Sequence, residues 1–141
     1  MRRLDRDEVR ALMEQLAGGW REQDTERALA CFTPDAIYSE PPDIQIYRGH
    51  AQLRPYFAAL KPGTLMSFEH LWFDEDSQTG AGEYTFGSRG ADLADHGVAI
   101  VELRDGQIAV WREYQRKGPL DFKEFKAVEG KQWLWHVGNY P

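Results

Sequence analysis

Residues 98–115 read VAIVELR-DG-QIAVWREYQ, and this stretch decides the fold. Two runs rich in β-branched residues flank Asp105-Gly106, the pair that favours a two-residue hairpin with both central φ angles positive. The second run ends in Trp111-Arg112-Glu113-Tyr114. A carboxylate is a poor strand former, so Glu113 needs either a solvated face or the wall of a pocket. Pairing outward from Arg104 and Gln107 sets Glu102 against Ala109, Ile100 against Trp111, Val98 against Glu113 and His96 against Gln115, all on one face. The other face carries Ala99, Val101 and Leu103 against Ile108, Val110, Arg112 and Tyr114. Both faces are largely apolar, so the sheet is expected to be covered twice: by helices on one side, and by a partner subunit or the Trp133–Trp135 tail on the other.

Upstream of this hairpin, Leu65–Phe73 and Ala81–Ser88 also alternate with period two. If Phe73 faces Gly80, His70 faces Glu83 and Phe68 faces Thr85. The first half of the chain has a different period. Val9, Leu12, Met13, Leu16 and Trp20 form one helical stripe over Asp5–Glu22, with Asp5 and Glu8 as a capping box. Gly18-Gly19 suits close packing by another element. A second helix is expected from Asp24 or Thr25 to Phe32, stopped by Pro34-Asp35. A strand follows over Ala36–Glu40, then a break at Pro41-Pro42-Asp43, a short extended piece over Ile44–Tyr47 and a helix over His50–Leu60 bent by Pro55. Leu120–Val128 reads as a short helix. Helices followed by a meander of long strands give an α+β pattern, with a curved antiparallel sheet wrapped around three N-terminal helices and a cleft between them.

The 141 residues fit one domain, 1–141, with a proper core. A 42% apolar and 13% aromatic composition indicates a globular chain. The net charge of −6 and the scattered Lys and Arg argue against nucleic acid. The N-terminus lacks the apolar stretch of a signal peptide, and no run reaches membrane-spanning length. A soluble, cytoplasmic protein is the expectation. Cys31, the single cysteine, sits in an apolar run with no His or cation beside it, as a buried inert thiol would.

Several strings in fixed order resemble the nuclear transport factor 2-like superfamily, which includes ketosteroid isomerases, SnoaL-like polyketide cyclases and limonene epoxide hydrolases. They are the helix ending in Trp20, Asp24–Phe32, Thr33-Pro34-Asp35-Ala36 leading into Tyr38-Ser39-Glu40-Pro41, Tyr47-Arg48-Gly49, and Asp105-Gly106-Gln107-Ile108 leading into Trp111-Arg112-Glu113-Tyr114. The resemblance implies a cone-shaped, cystatin-like α+β barrel with a deep pocket, often dimeric through its sheet. It places Glu40 where ketosteroid isomerases keep a general-base Asp. Leu16 and Ala99 fall near their two oxyanion donors, which are absent here. It gives Glu113 the catalytic-acid position of the epoxide hydrolases and matches Tyr38 to their water-holding Tyr. Glu83 and Thr85 fall near their Arg and Asp.

These residues imply an acid/base site in Glu40, Glu113 and Tyr38, with His70 as an auxiliary shuttle beside Glu83. Two carboxylates in an apolar pocket repel, which raises the pKa of at least one. Trp20, Tyr47, Phe57, Phe68, Trp72 and Trp111, with Glu83, Thr85 and His96, are the expected contacts for a small apolar ring compound. No His or Cys spacing supports a metal site from His70, Glu83 and Glu113, and neither metal nor cofactor is expected. The expected function is a small cofactor-independent isomerase, cyclase or hydrolase doing acid/base chemistry on that compound; the alternative is a non-catalytic ligand-binding or homodimerising module of the same fold.

Overall fold

The computed structural model describes residues 1–121. The expected Leu120–Val128 helix, all but its first two residues, and the Trp133–His136 tail lie outside them. Helix α1 spans Arg6–Arg21, and its capping box is in place: Asp5 accepts from the Glu8 backbone N–H while Glu8 accepts from that of Asp5. Its buried stripe is Val9, Met13, Leu16 and Trp20. A Cβ on Gly19 would stand 2.9 Å from the Ala28 backbone nitrogen, so this glycine lets helix α2, Thr25–Leu29, pack tightly against α1. Helix α3 spans Gly49–Ala58 with Pro55 inside its second half.

Six strands form one curved, open sheet: β1 Phe32–Glu40, β2 Gln45–Arg48, β3 Thr64–Asp74, β4 Thr79–Ser88, β5 Leu93–Arg104 and β6 Gln107–Pro119. Their order is β2-β1-β6-β5-β4-β3. The sheet is antiparallel except where β1 runs parallel to β6. Strand β1 begins earlier than expected. Helix α2 stops at Leu29, and Pro34-Asp35 sits in an irregular stretch of β1 between Phe32 and Ile37. Among the described residues no helix is long and apolar enough to cross a membrane.

The hairpin at Asp105-Gly106 forms as expected, with φ of 52° and 82° and Arg104 opposite Gln107. Beyond it the register departs from simple counting. Leu103 pairs with Ile108, but Glu102 pairs with Val110, so Ala109 is an extra residue in β6. Trp111 therefore faces Val101, Glu113 faces Ala99 and Gln115 faces Gly97. A second irregularity at Glu69 pairs Phe68 with Tyr84, whereas His70 keeps Glu83. Each bulge shifts the register by one residue, and a one-residue shift moves side chains to the opposite face.

Candidate active site

The helices cover the concave face of the sheet, and a cavity of about 50 Å³ lies between them. Its apolar wall is Trp20, Phe57, Leu60, Met66, Phe86 and Trp111; its polar wall is Tyr38, Glu40, Tyr56, Tyr84, Glu113 and Gln115. Glu40 and Glu113, from β1 and β6, thus line one space. Both are buried, at 3% and 5% exposure. Alternation along β1 points Tyr38 and Glu40 inward together, and alternation along β6 does the same for Trp111, Glu113 and Gln115.

Glu113 is surrounded by donors. The Tyr38 hydroxyl donates to its Oε1, the Tyr84 hydroxyl to its Oε2 at 2.5 Å, and Trp111 Nε1 to its Oε1 at 3.2 Å. Burial, with Glu113 alongside, pushes the hydroxyls of Tyr38 and Tyr84 far above the ordinary tyrosine range. They stay protonated and act as donors. Tyr84 also lies 2.6 Å from Gln115 Oε1, and Gln115 Nε2 donates to Asp43 at 3.2 Å. A hydroxyl has one proton, so Tyr84 serves Glu113 or Gln115 in turn. Gly97 makes room for it: a Cβ there would stand 2.9 Å from the Tyr84 oxygen.

Glu40 accepts from the Tyr56 hydroxyl. Burial, and then the charge of Glu113, push its carboxyl up from 4.5 to about 7, and a hydrogen bond to Glu113 acts in the same direction. Glu40 therefore keeps its proton across mildly acidic pH, while three donors face the Glu113 carboxyl. A carboxyl that binds its proton more tightly when folded stabilises the protein most below the unfolded pKa. That contribution falls as pH rises through the folded one. The Glu40 contribution to stability should therefore fall between pH 4.5 and 7.5. Urea denaturation at both pH values measures it, and Glu40→Gln should flatten the slope. An unchanged slope in that variant would remove Glu40 as its source.

Trp20 Nε1 is a buried donor with no partner among the described residues. Leaving such a group unpaired costs about 1–3 kcal/mol.

A family model described as a SnoaL-like domain matches residues 6–111. The chain belongs to the SnoaL-like domain family. No curated protein matches the sequence significantly. Solved structures share the fold at low identity. A protein of unknown function with a cystatin-like fold from Methylobium petroleophilum is 23% identical, with 85% of this chain and 82% of that one covered and a TM-score of 0.72. SalBIII, an epoxide hydrolase/cyclase-like enzyme of pyran ring formation in the polyether salinomycin, is 18% identical over 82% and 98%, TM-score 0.69. An LEH-like epoxide hydrolase from M. tuberculosis is 15% identical over 78% and 84%, TM-score 0.64. These likenesses, all under 25% identity, show a shared fold.

Within this SnoaL-like domain, Glu40, Glu113, Tyr38, Trp20, Phe57 and Trp111 come together at the cavity. Phe68 packs behind it, edge-on to Tyr84 and Trp111. Tyr47 stacks on the outside of Tyr56 at 4.1 Å between centroids. The bulges correct the placement of the others. His70 and Glu83 do pair, at 2.8 Å, but on the convex face and partly exposed. Trp72 shares that face and is 55% exposed. Thr85 and His96 bond each other there at 3.3 Å. His70 is therefore no shuttle for the cavity, and the sheet separates it and Glu83 from Glu113. Among the described residues no three His, Cys, Asp or Glu side chains converge as metal ligands would.

Tyr56, Tyr84 and Gln115 were not expected. Leu53, Tyr56, Phe57 and Leu60 recur at helical spacing on α3 and could have flagged Tyr56. Gln115 shares the face of Glu113 by alternation along β6, while Tyr84 follows only once the bulge at Glu69 is known. Cys31 is buried, and burial pushes its thiol up to about 12, as an inert core thiol requires.

Proposed function

We propose that this domain is a cofactor-independent enzyme performing acid/base chemistry on a small apolar ring compound. The observation that carries the reading is the carboxyl pair: Glu40 and Glu113 line one buried cavity, and burial raises the Glu40 carboxyl to about 7. Glu113 takes a proton from the substrate, and Glu40 delivers one elsewhere on it. Tyr38 and Tyr84 hold Glu113 in place. Isomerisation or cyclisation suits this site better than hydrolysis. Among the described residues no arginine lines the cavity to link two carboxylates, and Tyr38 is engaged with Glu113 rather than free to hold a water. The test is turnover of ring ketones and hydroxy-epoxides by the wild type and by Glu40→Gln and Glu113→Gln. Unaltered rates in both variants would sink the reading.

One observation favours a non-catalytic ligand-binding or dimerising module instead. A cavity of about 50 Å³ holds little more than water, whereas ligand pockets span about 300–1,000 Å³. A ring of ordinary size needs the wall side chains to move apart. Ligand binding without product would select that module.

We also propose a homodimer through the convex face. Ile37, Trp72 and Tyr114 are exposed there beside the half-buried Val98 and Ile100. An apolar sheet face of this kind marks an interaction surface. Analytical ultracentrifugation should show a dimer that Trp72→Glu weakens at least tenfold; a monomeric wild type at 50 µM (about that concentration suffices for any stable interface) would contradict it.

A further inference from the structure

Two indoles line the cavity, and their N–H groups differ. Trp111 Nε1 donates to Glu113 at 3.2 Å. Trp20 Nε1 is buried and meets no acceptor among the described residues. An indole nitrogen can only donate, and a buried one normally has a partner. The Trp20 ring is held in place. Its centroid lies 5.8 Å from Trp111 and 5.4 Å from Phe57, both in edge-on contact. With the residue 5% exposed, turning the ring toward bulk water would break both contacts.

We infer that the Trp20 indole N–H is the donor for an oxygen atom of the small molecule bound in this cavity, which makes that ligand a neutral oxygenated ring compound: a ketone, epoxide or ether. The inference rests on the cavity being a small-molecule site and specifies the ligand's chemistry. Among the described residues the wall contains no Lys, Arg or His, so an anion would meet carboxyl groups with no described cation to offset them. A plain hydrocarbon would fill the apolar side and leave Trp20 without an acceptor. A neutral oxygen satisfies it while the rest of the ring packs on Phe57, Met66 and Trp111. If the reaction builds negative charge on that oxygen, the same N–H strengthens its bond there.

The experiment is calorimetric titration of the full chain with three probes on one carbon frame: indane, indan-1-one and 1-aminoindane. Indan-1-one should bind about tenfold tighter than indane, as one added neutral hydrogen bond implies. Trp20→Phe keeps an aromatic ring and removes the N–H, so indane and indan-1-one should bind it equally well. Should the variant fail to fold, indole ¹⁵N–¹H spectra of the wild type give the same information. Indan-1-one, and not indane, should shift one indole proton downfield. Equal binding of indane and indan-1-one, or a ketone preference that survives Trp20→Phe, overturns the role of Trp20 and leaves the ligand site standing. Tighter binding of 1-aminoindane would show the carboxyl pair selecting a cation and would also overturn it. Binding of none of the three would remove the small-molecule site and this inference with it.

Discussion

Glu113→Gln should lower turnover by about 10²–10⁴-fold, the usual contribution of a positioned general acid or base. The substitution preserves size but not chemistry. Glu113 accepts from the Tyr38 hydroxyl, the Tyr84 hydroxyl and Trp111 Nε1. A glutamine has one acceptor oxygen and an NH₂ that must face one of these donors. Tyr84 has an escape, since Gln115 Oε1 lies 2.6 Å away. Among the described residues the Tyr38 hydroxyl donates to Glu113 alone, so the amide oxygen should settle toward Tyr38 and Trp111. The fold is thereby kept and the base is lost. Glu40→Gln removes the proton holder and should cost a similar factor. If the two carboxyls act as one unit, as proposed, the double variant should be scarcely slower than either single one. Rates that multiply across the double variant would mean the two carboxyls work independently.

The parts of this site that sequence reveals are those governed by local rules. Asp5 and Glu8 announce the start of α1, and Asp105-Gly106 fixes the last hairpin, because capping and tight turns depend on residues a few positions apart. Glu40 and Glu113 stand out because acids are uncommon inside strands. Face assignment is different, since it depends on counting along the strand. The extra residue at Ala109 turns Val98, Ile100 and His96 outward and brings Ala99 and Val101 in. The irregularity at Glu69 likewise gives the interior Tyr84, not Glu83. Neither position carries a glycine or proline that would have marked it. Trp111 and Glu113 were still placed on the inner face, because they share a strand with each other whichever residues oppose them.

Trp111→Ala should destabilise the domain by about 3–5 kcal/mol, the range for removing a large buried aromatic. Trp111 is completely buried. It stacks on Tyr38 at 5.4 Å and 8°, meets Trp20 edge-on at 5.8 Å, and lies 6.1 Å from Phe32 and 6.4 Å from Phe68. These rings come from α1, β1 and β3, so collapse into the space would require three elements to move together, and relaxation should be small. For a chain of this size the loss corresponds to roughly 10–15 °C in melting temperature. Trp111→Phe should cost much less, retaining the stacked ring while deleting the N–H to Glu113. Thermal melts of both variants give the comparison. A Trp111→Ala protein melting within a few degrees of the wild type would show that Trp111 is not the keystone of this packing. The pair also separates two roles of one residue. If Trp111→Phe melts near the wild type yet shifts the pH dependence of turnover, its N–H acts on the charge of the carboxyl pair and its ring on the fold.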